Sequence, residues 1–163
     1  MIFVRPALSQ DQKIRDAFFA TLSDARNRRR DLIQKVQGEV ETLFKQAGME
    51  VRISGREKTL YSIYKKMDDK HLSFAQVTDI YGFRVLVHSV TDCYTALGLL
   101  HQLYKPLPGK FKDHIAIAKL NGYQSLHTTL VGPASVNVEF QMRTEAMHIV
   151  AASTSTNTGS APR

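Results

Sequence analysis

Cysteine is almost missing from this sequence. Cys93 is the only one in 163 residues, which excludes an internal disulfide and a cysteine-based zinc site. A chain without disulfides suits a reducing, cytoplasmic setting. The six histidines show no HExxH spacing, and no His-Asp dipeptide occurs, so two common ways of holding a catalytic metal are absent. No apolar run approaches the ~18 residues that a membrane helix needs. The opening MIFVRPALS has too short an apolar stretch for a signal peptide. The P-loop pattern GxxxxGK[ST] and the dinucleotide pattern GxGxxG are both missing, and no internal repeat is visible. Acidic residues are the scarcer charge: 15 Asp+Glu stand against 22 Lys+Arg, for a net charge of +7. That balance favours a polyanionic partner, whether nucleotide phosphates, nucleic acid or a membrane surface.

What is present is ordinary for one globular domain, with 43% apolar and 23% charged residues. The informative stretch runs from Gly109 to Arg143. It opens on the breakers Pro106, Pro108 and Gly109, and Lys110, Lys112 and Lys119 lead to a second break at Asn121-Gly122. Tyr123, Gln124, Ser125, His127 and Thr128 follow, hydrogen-bonding groups with one ring able to stack on a base. The stretch closes on VNVEFQMR, in which Val136, Val138, Phe140 and Met142 alternate with Asn137, Glu139, Gln141 and Arg143. Period two is the strand period, so a carboxylate, an amide and a guanidinium line up on one face. Such a strand serves equally as half-exposed sheet. Beside a cationic loop with an aromatic ring, it also suits a nucleotide and a metal ion.

Taken in order, the chain predicts a lead-in to residue 9, a short helix over Gln10–Leu22 and a separate helix over Asn27–Ala47, ending at Gly48. Arg26, Arg28, Arg29 and Arg30 crowd the start of that second helix, as a solvated face or near a phosphate. A strand from Met49 ends at Ser54-Gly55, and REKTLYSIYKKM continues as a helix. Its Leu60, Ile63, Tyr64 and Met67 form the buried side, away from Arg56, Lys58, Ser62 and Lys66. A glycine turn into a cationic helix is either a phosphate site or a solvated amphipathic helix. Val85, Leu86 and Val87 mark a central strand with Asp79 at its mouth, a turn-former or a metal ligand. Asp79 and Glu139 on neighbouring strands would match the usual Mg²⁺ site of one or two carboxylates completed by substrate phosphates. Thr91 or Asp92 caps a helix to about Tyr104, with Cys93 in its core stripe and His101 on its surface. Thr144 caps a last helix, EAMHIVAA, and the low-complexity STSTNTGSAPR is expected to be disordered.

Four segments in this order carry a resemblance: SGREKTLYSIYKKM, TDIYGFRVLV, YKPLPGKFKDHIAIAKLNGYQSLHTTLVGP and VEFQMRTEAMH. With them, about Gly38 to Ala151 resembles the synthetase domain of the RelA/SpoT family. The resemblance implies an α+β fold, a nucleotidyltransferase-like mixed β-sheet flanked by helices. It implies transfer of the β,γ-diphosphate of ATP to the 3′-hydroxyl of GDP or GTP, making the alarmones ppGpp and pppGpp. By position, Arg56, Lys58, Ser62 and Lys66 would hold ATP. Asp79 and Glu139 would bind Mg²⁺, with Mn²⁺ as the alternative, and Glu139 would also activate the acceptor hydroxyl. Tyr123 would stack on guanine, and Lys112, Lys119, Asn121, His127, Gln141 and Arg143 would fix the acceptor nucleotide. KFKD resembles the basic variant of bifunctional members.

The sequence departs from the family pattern in three places. No hydrolase-type His-Asp motif precedes this region, Ala118 stands where the family has proline, and STSTNTGSAPR replaces a Gly-Val-Ala-Ala-His-Trp segment. The expected organisation is therefore a lead-in and short helix over 1–26, the synthetase domain over 27–151 and a tail over 152–163, a fragment cut at both ends. ATP and GDP or GTP are the expected partners, with neither membrane nor nucleic acid. Aromatics interleaved with basic residues on a sheet face, as RNA-binding sheets use them, are missing. A guanine-nucleotide-binding remnant without turnover is the alternative.

Overall fold

The computed structural model describes residue 7 and residues 9–57, 68–69 and 81–157, in two compact units, Met1–Lys35 and Val36–Arg163. One helix, α1 (Gln10–Gln46), takes the place of the two expected ones. The sequence between Leu22 and Asn27 contains neither glycine nor proline, so nothing stops the backbone ladder there. The arginines 26 and 28–30 are thus mid-helix residues, and the argument from a helix start does not apply to them. The true start is a reciprocal cap at Ser9. Its Oγ accepts from Gln12 N at 3.3 Å and its own N–H donates to Gln12 Oε1 at 3.1 Å. At the other end Gly48, at φ 69°, lets Met49 N–H return to Phe44 O at 2.9 Å, so the expected stop holds.

In the second unit the chain builds a mixed sheet of six strands among the described residues. They are β1 (Arg52–Glu57), β2 (Tyr81–Val87), β3 (Lys105–Pro106), β4 (Lys112–Asp113), β5 (Leu126–Val131) and β6 (Asn137–Thr144). Their order is β1-β2-β6-β5-β3, with β4 also on β5; β2 and β6 are parallel and the other pairs antiparallel. Together with the helices this is the expected α+β class. β1 corrects one expectation. Ser54-Gly55 does not end the strand but pairs with Arg84 and Phe83, and the strand runs on through Arg56 and Glu57, so the cationic helix does not begin there. Ladder bonds to β2 override the local turn signal of the glycine. The rest of the segment predicted as that helix, residues 58–67, lies outside the described residues.

β2 is central and its Val85, Leu86 and Val87 are buried, as expected. One face of the sheet is apolar: Phe83 stacks on Phe140 with ring centroids 5.4 Å apart, and Val85, Leu126, Leu130, Val138 and Met142 are buried. Helix α2 (Val90–Leu103) contributes Cys93, Ala96 and Leu100 to this core. Its cap is Ser89, whose Oγ accepts from Asp92 N at 3.1 Å, rather than Thr91 or Asp92. His101 is not a surface residue: its Nε2 lies 2.9 Å from Thr128 Oγ1, on the core face. Thr128, expected among the site's polar groups, is thereby assigned to the interior by strand parity. From α1, Val36, Val40 and Phe44 are buried, and Glu39 takes a hydrogen bond from the Tyr104 hydroxyl. Helix α3 (Glu145–Asn157) starts at Thr144, whose Oγ1 accepts from Met147 N at 3.2 Å as expected, and runs past the anticipated end at Ala152, so residues 153–157 of the stretch expected to be disordered are helical. No described helix is long and apolar enough to cross a membrane.

Two measurements test this core. Phe140→Ala removes a fully buried ring from the Phe83 stack and is expected to cost about 3–5 kcal/mol, read as a lowered urea midpoint. Burial pushes the Cys93 thiol up to about 11, with Asp92 adding to the rise. Native protein at pH 8 is therefore expected to react with a thiol reagent far more slowly than unfolded protein; equal rates would place Cys93 outside the core.

Candidate functional site

The opposite face of the sheet is polar, and the register sets its layout. Gly82 on β2, Glu139 on β6 and Thr129 on β5 form one row across the strands, and Arg84, Gln141 and His127 form the next. Glycine at position 82 puts no side chain beside the Glu139 carboxylate on the β2 side. On its other side Glu139 Oε1 lies 3.4 Å from His127 Nδ1, and Gln141 Nε2 donates to the same oxygen at 3.3 Å. Two of the residues expected at the site, His127 and Gln141, thus converge on the carboxylate of a third, Glu139, half-buried on a rigid strand.

The glycine loop closes over this row. Gly122, at φ 82°, turns the chain, and its N–H donates to Lys119 O at 2.9 Å. Asn121 Oδ1 accepts from Tyr123 N at 3.0 Å, an Asx turn, so its side chain shapes the loop. That geometry brings Lys119 Nζ to 5.4 Å from the Tyr123 ring centroid, while the buried Arg143 places its Cζ at 6.0 Å. The Tyr123 hydroxyl stands 2.8 Å from His127 Nε2 and accepts from Ser125 Oγ at 2.9 Å. Lys112, on β4, pairs with His127 across the ladder and is exposed. All seven residues expected on the acceptor side therefore lie on β4, the loop, β5 or β6 of one sheet region.

His114 is a neighbour that sequence reasoning left unassigned. Its ring lies 6.3 Å from Tyr123 and 5.5 Å from His127. Loss of solvent lowers its pKa first, followed by the charges of Lys119, His127 and Lys112, which places both lysines in its field. Asp113 ties the same segment down: Oδ1 accepts from Ile115 N and Ala116 N, and Oδ2 from the Tyr94 hydroxyl at 2.8 Å. Arg84, immediately before the apolar run Val85–Val87, lies by parity on the polar face in line with Gln141 and His127. His148 lies on α3, where desolvation lowers its pKa first and the charges of Arg143 and Arg84 lower it further. A period-two count on β2 could have found Arg84; His114 and His148 have no comparable signal.

The other half of the expected site is less described. Arg56 sits on β1 opposite Gly82, which places its backbone two strands from Glu139. Lys58, Ser62, Lys66 and Asp79 lie outside the described residues. β2, which begins two positions after Asp79, is hydrogen-bonded directly to β6. Among the described residues no group of three His, Cys, Asp or Glu could hold a metal by itself. Chemically, a half-buried carboxylate beside the His127 imidazole, a ring flanked by cations and further lysines suit hydroxyl activation next to bound phosphates.

Comparison with known proteins points the same way. A family profile, the region found in RelA / SpoT proteins, matches residues 55–157. The bifunctional (p)ppGpp synthase/hydrolase SpoT of Escherichia coli K12 is 54% identical over 123 residues, covering 76% of this chain and 18% of that protein. The GTP pyrophosphokinase rsh of Brucella melitensis is 42% identical over 130 residues, covering 80% and 17%. The chain thus spans less than a fifth of the length of these relatives. Among solved structures, the small alarmone synthetase 1 of Bacillus subtilis bound to its product pppGpp superposes with TM-score 0.66 at 25% identity, covering 90% of this chain and 84% of that one. The small alarmone synthetase 2 from the same organism gives 0.68 at 24% identity, covering 80% and 79%, a likeness of fold. With the profile matching well over half of its residues, the chain belongs to the RelA/SpoT family.

Proposed function

We propose that this chain transfers the diphosphate of ATP to the 3′-hydroxyl of GDP or GTP, making ppGpp or pppGpp in the cytoplasm. The observation that carries this reading is the Glu139 carboxylate held on the polar face of β6 by His127 and Gln141, beneath a loop that presents Tyr123 and Lys119. Membership of the family and the likeness to a synthetase bound to pppGpp support it.

In this reading Tyr123 offers its ring to guanine, with Lys119, Arg143 and Lys112 supplying charge to the acceptor phosphates and Asn121 shaping the loop that holds them. His127 and Gln141 fix the Glu139 carboxylate, which takes the proton of the 3′-hydroxyl as that oxygen attacks the β-phosphorus of ATP and AMP leaves. Arg56, Lys58, Ser62 and Lys66 serve ATP. Phosphoryl-type transfer is mostly positioning and charge neutralisation, which is what a cationic site around one base provides. The donor set also fits Mg²⁺, with Mn²⁺ as the alternative, because hard cations in such sites take one or two carboxylates and complete their shell with phosphates and water. Glu139 and Asp79 are the residues that would hold the ion, and when bound it neutralises charge on the transferred group. The domain scheme of a lead-in, a synthetase domain over 27–151 and a tail belongs to the same proposal.

Two variants test the reading. Glu139→Gln is nearly isosteric and keeps the fold, so turnover is expected to fall by ~10²–10⁴-fold while calorimetry still detects both nucleotides; retained turnover would remove Glu139 as the base. Tyr123→Ala is expected to weaken GDP binding by ~1–3 kcal/mol and leave ATP binding alone, whereas equal loss for both would make the tyrosine structural. Thin-layer chromatography of labelled ATP with GDP reads the activity itself, and wild-type binding without product would select the nucleotide-binding remnant instead.

A further inference from the structure

One polar group beside the site has no part in the reading above. Ser125 is fully buried, at 0% exposure, immediately before β5. Its carbonyl accepts from His114 N at 2.9 Å, so its backbone is pinned, and its Oγ reaches the Tyr123 oxygen at 2.9 Å. From there the contacts run on to His127 and, at ion-pair distance, to the carboxylate. Tyr123 Oη lies 2.8 Å from His127 Nε2, and His127 Nδ1 lies 3.4 Å from Glu139 Oε1.

The direction of this chain follows from its last member. An ionised carboxylate only accepts, and Glu139 Oε1 already takes the Gln141 amide at 3.3 Å. A negative oxygen facing His127 Nδ1 favours a hydrogen there over a lone pair. A neutral imidazole has one N–H, so Nε2 is then the acceptor and the Tyr123 hydroxyl must donate to it. The phenol has used its only hydrogen, which leaves its oxygen as an acceptor, and Ser125 must donate. With His127 neutral and its hydrogen on Nδ1, serine, tyrosine, histidine and glutamate line up in one direction.

We propose that Ser125 is a positioning residue for the transfer. Acting through Tyr123 and His127, it holds His127 in the Nδ1–H tautomer that keeps the Glu139 carboxylate in place; this rests on the transferase reading above. The serine hydroxyl occupies one acceptor position of the phenol oxygen; without it that oxygen is more open to a hydrogen on Nε2, and the phenol's own hydrogen can turn away. The Nδ1 lone pair would then face the carboxylate, and the two acceptors would repel. Donors in such a line also polarise one another, so losing the first weakens the last. The alternating pattern of β5 and β6 does not reveal this role, because Ser125 precedes the strand and touches the base only through two intermediaries.

The test is Ser125→Ala, with Ser125→Thr as the variant that returns the hydroxyl. In ¹⁵N-histidine-labelled protein, at a pH where imidazole is neutral, ring nitrogen–proton correlations report the His127 tautomer, with His127→Gln identifying its signals. The wild type is expected to be Nδ1–H. Ser125→Ala is expected to lose that preference and to lower kcat about 3- to 10-fold, the worth of one net hydrogen bond, with the KM for both nucleotides little changed. Ser125→Thr should restore tautomer and kcat together. A wild-type Nε2–H tautomer, or an unchanged tautomer in Ser125→Ala, overturns the proposal whatever the activity. A tautomer that responds as expected in a chain with no transfer activity would refute the transferase reading instead.

Discussion

The ladder between β5 and β6 is the constraint on which the rest depends. It pairs Leu126 with Met142, His127 with Gln141, Thr128 with Phe140 and Thr129 with Glu139. Side chains alternate with period two, so a slip of one residue would carry Glu139 and His127 into the core and expose Phe140 and Leu126 to solvent. The cost of exposing Phe140, Met142, Leu126 and Leu130, all fully buried, is what holds the carboxylate on the polar side. Packing against α2 thereby places a charged group it never touches.

The parallel pairing of β2 with β6 adds the second element of the site. It sets Gly82, the one residue type with no side chain, beside Glu139, and Arg84 beside Gln141. Had β2 been offset by one residue, Tyr81 or Phe83 would stand in that row. The glycine loop contributes the third element, and there short local bonds do the shaping: Asn121 holds Tyr123 N–H, Gly122 returns to Lys119, and Asp113 gathers two backbone N–H groups. These bonds keep Lys119 close to the Tyr123 ring.

Much of this was legible from residue order. The alternation of VNVEFQMR identified β6 with its faces, the apolar run at Val85 identified a central strand, and Gly48 marked the end of α1. The illegible parts share one physical cause, that local preference is weak against tertiary bonds. Gly55 reads as a turn yet lies in β1, because ladder bonds to Phe83 are available. The break expected before Asn27 does not form, because no residue there forbids a helix. Thr128 and His101 read as surface polar groups, and they satisfy each other inside the core.

What the sequence by itself determined is therefore the inventory: the strand with a polar face, the turns at Gly48 and Gly122, and the four segments that mark the family. Those follow from period and backbone freedom, properties of neighbouring residues. Only the tertiary structure decided the company each group keeps. His114 against Tyr123, Ser125 at the head of the line to Glu139, and His148 near Arg84 depend on strand register and on where α3 lies. Register is selected by burial summed over the whole sheet, and no single stretch of sequence contains that sum.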